Sequence, residues 1–233
     1  MRLDKFLTVT GTATRSEAAK AVRIGRVLVD GIPAKSPSHT VDPEVSRVEY
    51  FGELVEYRRF TYIMLNKPEG YVSATEDGHD RTVLELLPDK LRRLNLFPCG
   101  RLDKYTVGLM LLTDNGPLGH RLLAPKSHVS KTYYFEAEKP ISAEDVKALE
   151  EGVHIAGGYL TKPSRVTLLS ENTGRISITE GKYHQIKQML EAVDNKIVLL
   201  ERVTFGPLAL DGTLSRGEWR FLTQEEIEIL EKL

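Results

Sequence analysis

The chain is 233 residues long and 41% hydrophobic, room for one large domain or two with a substantial core. No stretch approaches the roughly 20 apolar residues needed to span a bilayer, and the start MRLDKFLTVTG lacks the apolar core and cleavage site of a signal peptide, so a cytoplasmic protein that binds no membrane is expected. The net charge of −1 excludes an evenly basic protein, but residues 1–40 hold seven Lys/Arg against three Asp/Glu, a net of +4 that leaves −5 for the remainder.

That basic start can be read almost residue by residue. Thr14-Arg15-Ser16-Glu17 has the form of a capping box, in which the Thr14 hydroxyl and the Glu17 carboxylate satisfy free amides at a helix start. At about 100° per residue, Ala18, Ala21, Val22 and Ile24 fall on one side of that helix and Arg15, Lys20, Arg23 and Arg26 on the other, giving one face to a core and the other to a partner. Gly25 suits the helix end, and RVLVDGIPAK reads as strand, Asp30-Gly31 turn, strand. EYRRF, residues 56–60, is the expected linker.

Beyond it, TYIMLNK, GLMLLT, KTYYFEAE, GRISITE and KIVLLERVTF read as strands, and SAEDVKALEEG, YHQIKQMLEAV and TQEEIEILEKL as helices. This predicts an α+β fold: a small module over residues 1–57, then a body over 58–233 built on a mixed, mostly antiparallel sheet, with no internal repeat or low-complexity segment. Cys99 is the only cysteine, so an internal disulfide is excluded; no CxxC or HxxxH spacing occurs among it and the six histidines, and no metal is expected. Cys99 itself reads as a small buried residue. GRLD places one carboxylate, Asp103, on a loop entering an apolar strand, where secondary-structure hydrogen bonds need not hold it.

RLDKFL, TRSEAAKAVRIGRVLVDG and the short strands after them resemble the S4 RNA-binding domain, which implies binding to structured RNA by shape and phosphate contacts. LNKPEG (65–70), GRLDKYTVGLMLLTDNG (100–116), KTYYF (131–135), EGKYHQIKQM (180–189) and LERVTFG (200–206) follow in the order and spacing of the RsuA type of ribosomal RNA pseudouridine synthases, which carry an S4 domain ahead of the catalytic domain. The resemblance covers essentially the whole chain. It implies that Asp103 is the catalytic residue, that Tyr133 packs on the target base and that Lys187 pairs with Asp103. Two positions depart from the family pattern: Lys187-Gln188, where two basic residues are common, and Phe205, where an aliphatic is usual. Tyr183-His184 looks like the small-subunit enzymes rather than the large-subunit ones, so the implied partner is 16S rRNA in a partly assembled small subunit, modified at uridine 516 by a monomeric enzyme.

The chemistry suits these residue types. Making pseudouridine breaks the bond between N1 and C1′, turns the free uracil and joins C5 to C1′; no electrons are gained or lost overall, so no cofactor is expected. A carboxylate can attack C1′ or take the C2′ proton, and the sequence leaves both routes open. In a dry pocket it needs a cation beside it to stay ionised. Neighbouring strand residues point to opposite faces, so only one of Tyr133 and Tyr134 can face the pocket. The base must also be flipped out of folded RNA. Arg101 is placed to fill the hole, and Lys67, Lys104, Lys131, Lys182 and His184 to add charge around the cleft. Two other readings are an RNA-binding assembly factor without catalysis and a glycosidase using Asp103 with a second carboxylate such as Asp114. Paired glycosidase carboxylates lie roughly 5 to 9 Å apart, and Asp114, at the far end of the predicted strand, is out of that range.

Overall fold

Thr14 starts a helix as its neighbours require. In the computed structural model, which describes residues 1–233 apart from the side chain of Pro125, the Thr14 hydroxyl accepts from the Glu17 amide and the Glu17 carboxylate accepts from the Thr14 amide. The chain begins with α1 (Leu3–Val9) and α2 (Arg15–Arg23), followed by a small antiparallel sheet of β1 (Val27–Val29), β2 (Ile32–Pro33), β3 (Val48–Tyr50) and β4 (Glu53–Leu54) in the order β2-β1-β3-β4. Asp30 and Gly31 both adopt positive φ, 51° and 79°, as a two-residue hairpin turn demands. Ala18, Ala21 and Val22 pack with Leu3, Phe6 and Leu7 in the core. Ile24 does not join them: α2 ends at Arg23, Gly25 turns left-handed at φ 67°, and Ile24 is 62% exposed. Arg15, Lys20, Arg23 and Arg26 are all exposed.

The unit these elements form runs to Thr61 and takes in Leu87–Leu96, a segment that the sequence pattern places in the second domain. That segment carries α3 (Asp89–Arg92). Its Lys90 carbonyl lies 2.2 Å from where a Gly11 side chain would begin, and Arg93 pairs with Glu17 at 3.1 Å.

The second unit, Tyr62–Leu86 with Phe97–Leu233, is built on a nine-stranded sheet, counted among the described residues. Its strands are β5 (Tyr62–Lys67), β6 (Phe97–Cys99), β7 (Val107–Thr113), β8 (Lys131–Ala137), β11 (Arg165–Leu168), β12 (Thr173–Ile178), β13 (Ile197–Phe205), β14 (Leu208–Ala209) and β15 (Trp219–Phe221). A two-stranded ribbon, β9 (His154–Ile155) with β10 (Tyr159–Leu160), stands apart from it. Strand order is β11-β12-β8-β13-β7-β5-β15, with β6 beside β7 and β14 beside β13, and every pair is antiparallel except β13 with β7. β5 and β7 are buried at every position, which is why both read as continuous apolar runs. The helices are α4 (Gly116–Leu123), α5 (Ala143–Glu151), α6 (Gln185–Glu191) and α7 (Gln224–Glu231). The architecture is α+β with a mostly antiparallel sheet. Among the described residues, no helix is long and apolar enough to cross a membrane.

Near the end of the chain, Arg220 on β15 reaches Asp211 at 2.6 Å and Glu226 on α7 at 2.7 Å. The Thr213 hydroxyl and amide, with Arg220, hold the Asp211 carboxyl down at about 2. Its ordinary value of 3.8 is higher, so ionised Asp211 stabilises the fold above about pH 4, and that stabilisation is lost as pH falls towards 2. Urea unfolding of Asp211→Asn across this window should show a shallower loss of stability with acid than the native protein; an identical slope would mean that the contacts of Asp211 contribute nothing.

Candidate active site

Gly100, with φ 87°, turns the chain out of β6 into the loop that carries Asp103. Lys67, at the end of β5, holds that loop from beneath. Its ammonium is 0% exposed and donates to the carbonyls of Pro68 (3.1 Å), Asp103 (3.0 Å), Lys104 (3.2 Å) and Thr106 (2.8 Å). Burial pushes its pKa down to about 8, with Arg202 and Lys187 acting in the same sense and Asp103 against them. Lys67 is therefore not one of the cations offered to RNA: all its donors face carbonyls of its own chain. Ser73 adds a second clamp, its hydroxyl donating to the Leu102 carbonyl (2.7 Å) and accepting from the Leu102 amide (2.9 Å).

So held, Asp103 stands half-buried in a cleft of about 970 Å³ lined from the loops at 72–77 and 100–106, β8, β13 and the start of α6. One carboxylate oxygen lies 3.2 Å from Lys187 Nζ and the other 3.5 Å from His184 Nε2. His184, expected only to add charge to the rim, is thus a direct neighbour of the acid. It has φ 49° and precedes the first residue of α6, so the helix expected from Tyr183 begins two residues later, at Gln185. Tyr183 is 74% exposed, and its ring lies on the His184 ring with centroids 3.8 Å apart.

Two other acids line the cleft, but each has its own donors. Glu180 accepts from the Tyr159 hydroxyl (2.7 Å), Gln185 (2.8 Å) and the Lys162 amide (2.9 Å), and Asp77 accepts from the amides of His79 (2.9 Å) and Asp80 (2.8 Å). Asp103 alone among the three has the nitrogens of two side chains, an ammonium and an imidazole, at its oxygens and no backbone donor. Asp114 follows the far end of β7 and is not part of the cleft wall, so the two-carboxylate arrangement of a glycosidase is not formed.

On β8, Tyr133 is buried and turned into the cleft, whereas Tyr134 points away and donates to Glu136 at 2.9 Å. Among the expected cations, Arg101 is exposed at the cleft edge, Lys104 is tied to Asp80, and Lys182 covers the Tyr159 ring at 4.2 Å. Lys131 is half-buried, donating to the Val129 carbonyl at 3.1 Å. Cys99 is fully buried, and burial pushes its thiol up to about 11. Sequence reasoning passed over Arg202, which lines the same cleft at 1% exposure. The sign was a charged residue in the middle of LERVTFG, opposite the strand that bears Tyr133.

The RNA pseudouridylate synthase family model matches residues 61–192, and the S4 domain model residues 1–45. The chain is 48% identical to YtzG of Bacillus subtilis, named an uncharacterized RNA pseudouridine synthase, over 99% of this chain and 98% of that one. It is 40% identical to ribosomal small subunit pseudouridine synthase A of Vibrio cholerae, over 97% of this chain and 98% of that one. A solved pseudouridylate synthase superposes with a TM-score of 0.70 at 38% identity, covering 99% of both chains. With its S4 domain ahead of a cleft built around Asp103, the chain belongs to the RNA pseudouridylate synthase family.

Proposed function

We propose that the protein isomerises one uridine of small-subunit ribosomal RNA to pseudouridine, uridine 516 of 16S rRNA being the expected target, with Asp103 as the catalytic residue. The observation that carries the reading is the placement of Asp103 between Lys187 and His184, in a cleft whose wall includes the buried ring of Tyr133. A uridine turned out of the RNA stacks on Tyr133 and presents its sugar to the carboxylate, which attacks C1′ or takes the C2′ proton while Lys187 and His184 hold it aimed. Near-complete alignment with a small-subunit synthase, together with Tyr183-His184, favours the small subunit over the large.

The test is incubation with 16S and 23S rRNA fragments, followed by mapping of pseudouridine through carbodiimide-dependent reverse-transcription stops. One stop at the expected position in 16S rRNA supports the reading; stops confined to 23S rRNA refute the target, and no stop in either refutes the activity. Asp103→Asn is expected to slow turnover at least ~10²-fold with RNA affinity nearly unchanged, because the amide keeps the shape and loses both nucleophile and base. Lys187→Met, which removes the ammonium from one oxygen of the acid and leaves only the His184 ring at the other, is expected to be nearly as damaging.

Tyr133→Ala is expected to lose activity and Tyr134→Ala to retain it; the reverse would exchange the roles of the two strand faces. The exposed cations of α2 and its end supply phosphate contacts. Replacing Arg15, Lys20, Arg23 and Arg26 with glutamine should raise KM and flatten the log-log salt dependence by up to about 0.7 to 0.9 per lost contact. An unchanged salt slope would show that this face is only solvated.

A further inference from the structure

Arg202 and Tyr133 are directly paired across β13 and β8, so their side chains leave the sheet on the same face as close neighbours. Lys131, two residues before Tyr133, shares that face. A bulge between Arg202 and Thr204 brings Phe205 round to it as well, opposite Lys131. The result is one buried corner of the cleft with an aromatic floor and two cations. Arg202 lies 5.1 Å and Lys131 5.9 Å from the centre of the Phe205 ring.

Neither cation has an acid. The Arg202 Nε donates to the Leu109 carbonyl at 2.7 Å and one terminal nitrogen faces the Met110 sulfur at 3.8 Å, while the other lies 3.6 Å from where a Gly100 side chain would begin, beneath the loop that carries Asp103. Among the described residues no carboxylate reaches Arg202 or Lys131. Burial, and then Arg202 itself, pushes the pKa of Lys131 down. A fully buried guanidinium with a half-buried ammonium beside it and no anion costs folding free energy, so the corner is prepared for a negative charge that arrives from outside the protein.

Two anions are within reach of an RNA substrate. A phosphodiester carries chain on both sides and fits a rim better than a corner where Arg202 is 1% exposed. The other anion forms during the reaction. When N1–C1′ breaks, the bonding pair goes to uracil and spreads over N1, O2 and O4; the ring turns, a pair from C5 forms the C5–C1′ bond, the C5 proton leaves and N1 gains one. A base lying on Tyr133 has its edge beside Arg202. Building on the proposed isomerisation, we infer that Arg202, assisted by Lys131, is a further catalytic residue that contacts the uracil carbonyl oxygens and stabilises the uracil anion between bond breaking and bond making. The guanidinium interacts more strongly with that anion than with neutral uracil, which is the condition for raising rate rather than affinity alone.

The experiment measures single-turnover rates at saturating rRNA fragment for the full-length native protein, Arg202→Met, Arg202→Lys and Lys131→Met. Each is assayed on uridine and on 5-fluorouridine at the target position, and RNA affinity is measured in parallel. Loss of the starting nucleoside is read, since C5–F has no proton to release. Arg202→Met is expected to lose about 10²- to 10³-fold on uridine, as when a preorganised donor to a developing anion is removed. The loss on 5-fluorouridine should be clearly smaller, because fluorine itself stabilises the departing uracil. Arg202→Lys should recover part of the rate, Lys131→Met should show the same substrate pattern with a smaller loss, and affinity should hold. Equal losses on both substrates, or a loss confined to affinity, overturn the inference while leaving the isomerase reading intact. A native protein that converts no uridine overturns both. Should Arg202→Met fail to fold, Lys131→Met decides by the same comparison of substrates.

Discussion

The ammonium of Lys67 is the contact on which the loop that carries Asp103 depends. A lysine with no exposed surface and no carboxylate on its head group is costly to bury, and here four carbonyls at 2.8 to 3.2 Å take the place of water. Three of those carbonyls belong to residues 103, 104 and 106, so the cation gathers the loop around a single point. With its backbone committed to Lys67 and Ser73, the loop leaves the Asp103 side chain free to meet Lys187 and His184. The half-buried Asp103–Lys187 pair contributes little to stability of its own; its value is in orientation.

The sheet does the rest of the positioning. Gly108 on β7 sits where any side chain would meet the Arg202 backbone at 2.4 Å, and at φ 98° it adopts a conformation that side chains resist. That close approach lets β13 run parallel to β7 for two residues within an otherwise antiparallel sheet. It also places Arg202 so that its guanidinium reaches the Leu109 carbonyl. Acid, aromatic and buried cations thus come from separate strands and loops brought together by one register.

What was legible in the sequence was what local chemistry dictates. The capping box at Thr14, the Asp30-Gly31 turn, the apolar runs of β5 and β7 and the alternation that separates Tyr133 from Tyr134 each depend on residues close along the chain. The proximity of Lys187 to Asp103 came from the family resemblance, since nothing in local spacing joins positions so far apart. Lys67 was misread because a lysine at the end of a strand, before a proline, looks like a surface cation, and only the tertiary path of the 100–106 loop supplies three of its four acceptors. Arg202 was overlooked for the related reason that an arginine within a strand reads as an outward residue until the cross-strand register sets it beside Tyr133. Ile24 failed in the other direction: helical geometry was extended one residue past the point where Gly25 ends it. The helix α4 went unread because it opens on Asn115-Gly116-Pro117, which signals a turn as readily as a cap.

The first unit is not one continuous piece of chain: it stops at Thr61, and Leu87–Leu96 returns to complete it after an excursion through β5. During synthesis the S4 region leaves the ribosome first, yet its α3 and the contacts of Lys90 and Arg93 arrive only after the opening strand of the other unit has been made. The two units therefore cannot mature strictly one after the other. A fragment cut at the apparent linker carries α2 but lacks part of its own support, so the natural point of division in this chain is a matter of three crossings rather than one.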